Sequence, residues 1–158
     1  MPGALQLDQF LCFSVYAAEH AFNQFYRPLL DEIGLTYPQY LVMVGLWSHD
    51  DRAVKEIGAA LSLESNTLTP LLKRLEALDL VTRVRDAADE RQVRIRLTAK
   101  GRRLREPAER IPICVTAALG LSSQELLDLR EKLRRVRQRL RSAAEMTGSP
   151  RQGPGNRS

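Results

Sequence analysis

Cysteine is scarce in this 158-residue chain, which holds only Cys12 and Cys114. Two thiols cannot build a disulfide-rich scaffold. The two histidines, His20 and His49, stand far apart, and no cysteine or histidine spacing suits zinc, so neither a metal nor a cofactor is expected. No glycine-rich phosphate loop or catalytic-triad motif is present, and an enzyme is not expected. No apolar run approaches the roughly 18 residues that span a bilayer, which argues against a membrane protein. Met1 to Asp8 lacks both a basic and a long apolar stretch, so it does not read as a secretory signal. A cytoplasmic chain with reduced thiols is the expectation. Net charge is modest, with 24 Lys+Arg against 19 Asp+Glu. That balance permits a nucleic-acid partner without identifying one. The length suits about one domain at roughly 150 residues each.

The chain is rich in helical periodicity. Leu11, Val15, Ala18, Phe22, Phe25 and Leu29 recur at steps of 4 and 3, which predicts one long helix over about residues 6–33. Gly34 is its expected C-terminal cap, with Pro28 placed to kink it or end it early. Six aromatic residues crowd this helix: Phe10, Phe13, Tyr16, Phe22, Phe25 and Tyr26. Two of its faces are apolar, which suits either a core helix or one buried partly against a second subunit. Thr36 caps the next run, Thr36 to Ser48, whose almost wholly apolar centre predicts a buried helix. Ala53 to Leu61 and Ser65 to Leu78 read as two helices joined by a tight turn at Ser62 to Glu64, with Leu68, Leu71, Leu72, Leu75 and Leu78 inward. Leu80 to Arg85 and Gln92 to Leu97 then alternate, with Val93, Ile95 and Leu97 on one face and Arg94 and Arg96 on the other. A polar loop, Asp86 to Arg91, joins them. This order predicts a winged helix-turn-helix over about residues 36–100.

Lys100 to Glu109 reads as a charged helix broken by Pro107 and Pro112. Ser122 and Glu125 form a capping box before a last helix. There Leu126, Leu129, Leu133, Val136, Leu140 and Ala143 step by 3 and 4, the seam of a helix that meets another helix. The predicted fold is mainly α with a small β-hairpin wing. Its dimerisation domain comes from both chain ends, about residues 6–33 and 110–146, within one unit at 5–146. Thr147 to Ser158, rich in Gly, Pro, Ser and Arg, reads as a disordered tail.

Residues Glu64 to Leu97 hold seven Lys/Arg and six Asp/Glu, so placement rather than net charge must mark a DNA reader. Ser65, Asn66, Thr67 and Thr69 cluster at the start of the second helix of the pair, where short polar groups reach base edges and free N–H groups bind phosphate. Lys73 and Arg74 follow one turn later and suit phosphate contact. Arg91 at the wing tip suits a minor groove, with Asp86 or Asp89 near enough to hold it. Each residue read alone could equally be a solvated surface group.

The segment LSLESNTLTPLLKRLEALDL (61–80), with Val81-Thr-Arg, Asp86-x-x-Asp-Glu-Arg91 and Leu97-Thr-x-x-Gly101, resembles the MarR family of winged-helix regulators. Leu7-Asp-Gln-Phe-Leu-Cys12-Phe, Tyr26 and Leu35-Thr-Tyr37-Pro-Gln-Tyr-Leu-Val-Met43 resemble its organic-hydroperoxide-sensing branch, the OhrR repressors. The resemblance covers about residues 5–145. It implies a homodimeric repressor on a pseudo-palindromic operator of double-stranded DNA, released when an organic hydroperoxide oxidises the N-terminal cysteine.

Cys12 sits near a helix start, where the dipole favours a thiolate, among aromatic groups that could gather an apolar peroxide. A lone helical cysteine is more often a small buried hydrophobe. Cys12 and Tyr26 lie fourteen residues apart, roughly 21 Å along one helix. They cannot touch within one subunit unless that helix breaks, whereas a two-fold axis can bring them together. The resemblance implies that Tyr26 and Tyr37 donate hydroxyl hydrogen bonds to Cys12 across the dimer. Some members of the branch also use a second cysteine near the last two helices. For Cys114 two alternatives stay open: it resolves the oxidised Cys12, or it is a packing residue beside a sensor that uses a small-molecule thiol. Two other functions compete with the leading one. The first is a MarR-type repressor released by a small phenolic or apolar acid. The second is a thiol peroxidase using Cys12, disfavoured because the chain lacks a thioredoxin-like alternation of strands and helices.

Overall fold

The computed structural model describes residues 6–147, which parts into two compact units between Val115 and Thr116. In the first unit a short 3-10 turn, Leu7–Gln9, precedes helix α1, Leu11–Asp31. The expected single helix from residue 6 is therefore interrupted at Phe10, whose backbone is extended and whose side chain has no oxygen to cap the new helix. Pro28 does not end α1 early, since the helix runs on to Asp31. The proline removes one ladder bond, and Tyr26, Leu29 and Ile33 pack against the core around it. Gly34, at φ +69°, follows the helix as expected, and the Leu35 N–H reaches back to the Leu30 carbonyl at 3.1 Å. Ser62, Asp79 and Gly120 close three later helices in the same left-handed conformation, so four helices end alike with only two glycines.

Helix α2, Tyr37–Ser48, starts at Thr36, whose N–H donates to the Gln39 side-chain carbonyl at 2.8 Å. Its buried side, with Tyr40, Val42, Met43 and Leu46, forms the centre of the core. Arg52–Ala53 is a short strand, β1, and helix α3 begins one residue later, at Val54–Leu61. The expectation of helix from Ala53 missed β1 because two residues cannot display a period of two. Helix α4, Ser65–Ala77, buries Leu68, Leu72 and Leu75 against α2 and α3. Leu78, expected inward, is the C-cap of α4 and stands outward.

Strands β2, Val81–Arg85, and β3, Val93–Leu97, pair antiparallel from Val81 opposite Leu97 to Arg85 opposite Val93. β1 adds to the other edge of β3, giving the order β1-β3-β2, so the wing is three-stranded rather than a bare hairpin. Helices α5, Ala99–Arg103, α6, Arg105–Ala108, and α7, Arg110–Leu119, follow end to end. Pro107 and Pro112 cannot donate to the carbonyls four residues back, and the path is interrupted at Leu104 and Glu109 beside those carbonyls while staying helical in dihedral angle. Ile111 and Val115 of α7 close the core of the first unit.

The second unit is dominated by helix α8, Ser123–Thr147. Its capping box is present, with Ser122 N–H and Oγ both donating to Glu125 Oε2 at 2.8 and 2.7 Å. Thr147, expected in the tail, is the last helical residue, and the rest of that expected tail lies outside the described residues. No α8 side chain is buried; Leu129 and Leu133 of the seam are each 45% exposed.

One glycine makes a sharp prediction. Gly101, in α5, lies so close to the Leu80 carbonyl that a Cβ there would overlap it, and its own carbonyl accepts the Trp47 Nε1–H at 2.9 Å. Gly101→Ala should lower the urea midpoint by an amount equal to about 1–3 kcal/mol. Gly45→Ala in α2, where nothing crowds the new methyl, should be neutral or stabilising by about 0.4–1 kcal/mol.

Candidate nucleic-acid interface and thiol site

The first turn of α4 presents its side chains outward. Ser65, Asn66 and Thr67 are exposed and Thr69 is half-buried, while Leu68 between them anchors the helix. Glu64 precedes this turn and makes no side-chain cap bond, which leaves the Ser65 and Asn66 N–H groups open, while the Thr67 N–H donates to the Glu64 carbonyl at 3.1 Å. Lys73 and Arg74 are exposed, and neither has an ion-pair partner among the described residues.

The wing loop is shaped by its carboxylates. Asp86 accepts the Ala88 N–H at 2.8 Å, and Asp89 accepts the Arg91 N–H at 3.1 Å and the Gln92 amide at 3.0 Å. Asp89 thus holds the backbone under Arg91 rather than its guanidinium, which stays exposed and unpaired among the described residues.

A second set of carboxylates, absent from the sequence expectations, fastens the wing to the helical body. Asp51 is paired with Arg94 Nε at 2.7 Å and Arg96 Nε at 3.0 Å. Asp50 accepts the Leu97 N–H at 2.9 Å and pairs with Arg102 at 2.8 Å. Hydrogen bonds from Arg96 and then Arg94 hold the Asp51 carboxyl below its ordinary range. The two alternating arginines of β3 are therefore committed to Asp51. Arg85, exposed, and Arg83, half-buried, are the β2 cations left without an ion-pair partner among the described residues. The signal was present as an Asp-Asp turn and an Arg-x-Arg strand, but their separation of more than forty residues hid it.

Cys12 is the second residue of α1 and is exposed; Cys114 is half-buried within α7, between the buried Ile111 and Val115. Both are free thiols. α1 runs without a break from Leu11 to Asp31, so Cys12 and Tyr26 stand on one continuous helix, roughly 21 Å apart along its axis. The structure does bring the two expected tyrosines together. The Tyr26 and Tyr37 ring centroids lie 4.8 Å apart. Tyr40, which the sequence reading left without a role, joins them at 6.0 Å from Tyr26. Burial, then the neighbouring Tyr37 and Tyr40, pushes the Tyr26 phenol up to about 12. Tyr37 and Tyr40 are also raised, chiefly by burial. All three hydroxyls are therefore protonated donors at neutral pH. Tyr16, one turn beyond Cys12, meets His20 edge-on with ring centroids 4.4 Å apart.

The sequence profile described as transcriptional regulator SarA/Rot matches residues 24–107, more than half of the chain. The chain belongs to this family of MarR-type winged-helix transcriptional regulators. Among similar members is the HTH-type transcriptional regulator TtmR of Methylorubrum extorquens, 50% identical over 91% of this chain and 74% of that protein. The organic hydroperoxide resistance transcriptional regulator of Bacillus subtilis is 46% identical over 80% of this chain and 84% of its own length. Among solved structures, AbfR of Staphylococcus epidermidis superposes with a TM-score of 0.72 at 40% identity, covering 84% of this chain and 91% of that one. AbfR has also been solved reduced and bound to DNA, overoxidised and bound to DNA, and with a disulfide formed. The family and these relatives are transcriptional regulators, not enzymes. Among the described residues of this regulator, no helix is long and apolar enough to cross a membrane.

The tyrosine cluster gives a pH prediction. The native state holds the Tyr26, Tyr37 and Tyr40 protons more tightly than the unfolded chain, where a phenol loses its proton near 10.0. Stability is thus full below pH 10 and falls as pH rises from 10 towards 12. Denaturant midpoints measured across that range should fall, and more steeply for wild type than for Tyr26→Phe.

Proposed function

We propose that this chain is a homodimeric, DNA-binding transcriptional repressor that senses organic hydroperoxides through Cys12 and then releases its operator. The observation that carries the reading is an exposed thiol at the head of α1, set apart by one rigid helix from a cluster of protonated tyrosines. The 46% identity to an organic hydroperoxide resistance regulator supports it.

DNA is read by Ser65, Asn66, Thr67 and Thr69 at the start of α4, with Lys73 and Arg74 on phosphate and Arg91, on its Asp89-shaped loop, in the minor groove. The DNA-bound structures of AbfR support double-stranded DNA as the partner. Dimerisation covers the α8 seam and the exposed apolar side of α1, where Leu11, Val15, Phe22 and Phe25 stand open in the single chain. A two-fold axis then sets Tyr26 and Tyr37 of one chain near Cys12 of the other, as no single chain can.

The chemistry is a two-electron oxidation. The Cys12 thiolate attacks the terminal peroxide oxygen; an S–O bond forms as the O–O bond breaks. The alkoxide leaves and takes a proton to become the alcohol, so the peroxide is reduced and Cys12 becomes a sulfenic acid. The tyrosine hydroxyls that donated to the thiolate lose their acceptor. The dimer rearranges, and the two reading helices fall out of register with successive major grooves. The sulfenic acid then condenses either with Cys114 or with a small-molecule thiol. Placement of Cys114 within α7, rather than in the turn before α8, favours the small thiol.

A second reading, release by a small phenolic or apolar acid, draws on likeness to the Streptomyces coelicolor regulator PcaV, solved with its natural ligand, at 25% identity and a TM-score of 0.78. A cleft of about 210 Å³ beside Tyr40, Val44 and Trp47 is the candidate. It is smaller than most ligand sites, and its Arg105 is already paired with Glu109 at 3.1 Å.

Two tests separate these readings. Cys12→Ser should bind operator with wild-type affinity and ignore organic hydroperoxide, and the wild-type response should reverse with dithiol. Release of Cys12→Ser at the wild-type peroxide dose would favour the ligand-released regulator. Arg74→Ala and Arg91→Ala should each weaken operator binding in a folded dimer, Arg74→Ala lowering the salt slope by about one unit. Unchanged affinity in both would remove α4 and the wing from the interface.

A further inference from the structure

The positive charge of this chain is not where the DNA reader is. Residues 1–115 hold fifteen Lys/Arg and fifteen Asp/Glu, and residues 116–158 hold nine against four. The winged-helix unit is formally neutral, and the C-terminal unit carries the whole net charge of +5.

Within α8 the charge is ordered. Arg130, Arg134, Arg137 and Arg141 recur at steps of 4, 3 and 4, which lines them along one face over about 16 Å of helix. Glu131 pairs with Arg134 at 2.7 Å and with Arg135 at 2.8 Å. Arg130, Arg137 and Arg141 are exposed and have no ion-pair partner among the described residues. The stripe lies about 100° around the helix from the seam of Leu129, Leu133 and Leu140, so covering the seam leaves the stripe open.

We infer that this stripe is a second, sequence-independent binding surface for the phosphate backbone of duplex DNA, separate from α4 and the wing. A phosphate backbone asks only for cations at intervals, and the stripe offers free guanidinium groups one to two helical turns apart. A protein partner would ask for a buried aromatic or aliphatic anchor, and the stripe has none. A lipid surface would need the apolar seam, which dimerisation uses. The surface supplies the long-range attraction that a neutral reading unit lacks. The inference rests on the proposed DNA-binding reading only for the identity of the polyanion.

The test measures binding to a mixed-sequence duplex without an operator across a salt series. It compares wild type, R130Q/R137Q/R141Q and an off-stripe control of equal charge loss, K132Q/R135Q/R139Q, each also made in an R74A/R91A background. The stripe variant should bind at least about tenfold more weakly at low salt, with a salt slope reduced by about 0.9 for each phosphate it no longer neutralises, in both backgrounds. The control should change affinity by less than about threefold. If R74A/R91A itself has no effect while the stripe variant still does, the stripe stands and the winged-helix assignment falls. Equal losses from both triple variants would reduce the effect to net charge and overturn the inference. So would unchanged DNA binding, with or without weakened binding to poly-glutamate or anionic phospholipid vesicles. Dissociation of the stripe variant to monomer in light scattering would reassign the arginines to the subunit interface and overturn it too.

Discussion

Cys12 and Tyr26 lie fourteen positions apart, and every residue between them is wound into one helix that even Pro28 does not interrupt. That rod fixes about 21 Å between the thiol and the tyrosine cluster. The two ends of the proposed sensor can act on each other only through a second copy of the chain. Under the proposed mechanism, sensing and dimerisation thereby become one property. In the proposed sensor, a chemical change at Cys12 would be felt by residues of the partner at the junction of α1 and α2, where Tyr26 and Tyr37, packed on the edge of the core, meet the buried Tyr40. Because α2 also carries the centre of that core against α3 and α4, a disturbance at the cluster has a short packed route to the reading helix.

The periodic elements are legible in the sequence. Stripes of apolar residues at steps of 3 and 4 marked α1, α4 and α8, and period-two alternation marked β2 and β3, because long elements repeat their signal. What stayed hidden was short or distant. β1 is two residues long. Asp51 meets Arg94 and Arg96 across more than forty residues, and nothing local in an Asp-Asp turn announces that pairing. Ser62 and Asp79 end helices in a conformation that glycine normally signals. At the thiol site, Cys12, Tyr26 and Tyr37 were named from the resemblance. The place of Tyr40 in the cluster came only from packing, since its position in an apolar helix reads as ordinary core.

Electrostatics divide the labour further. In the wing, the carboxylates of Asp50 and Asp51 hold β3 and α5 to the helical body, and those of Asp86 and Asp89 shape the tip. These ties commit Arg94, Arg96 and Arg102 to structure and leave Arg91 to reach outward. A neutral winged-helix unit that fastens its own cations in this way gains rigidity at the expense of reach, and the basic C-terminal helix restores the missing field.

The cross-subunit sensor is tested most directly with a mixed dimer of one Cys12→Ser chain and one Tyr26→Phe/Tyr37→Phe chain. If thiol and tyrosines act in trans, one of its two sites pairs an intact Cys12 with intact tyrosines, and organic hydroperoxide should release this dimer from operator near the wild-type dose, while neither parent homodimer does so. A mixed dimer no more responsive than its parents, with each chain shown to be folded and DNA-bound, would contradict the account.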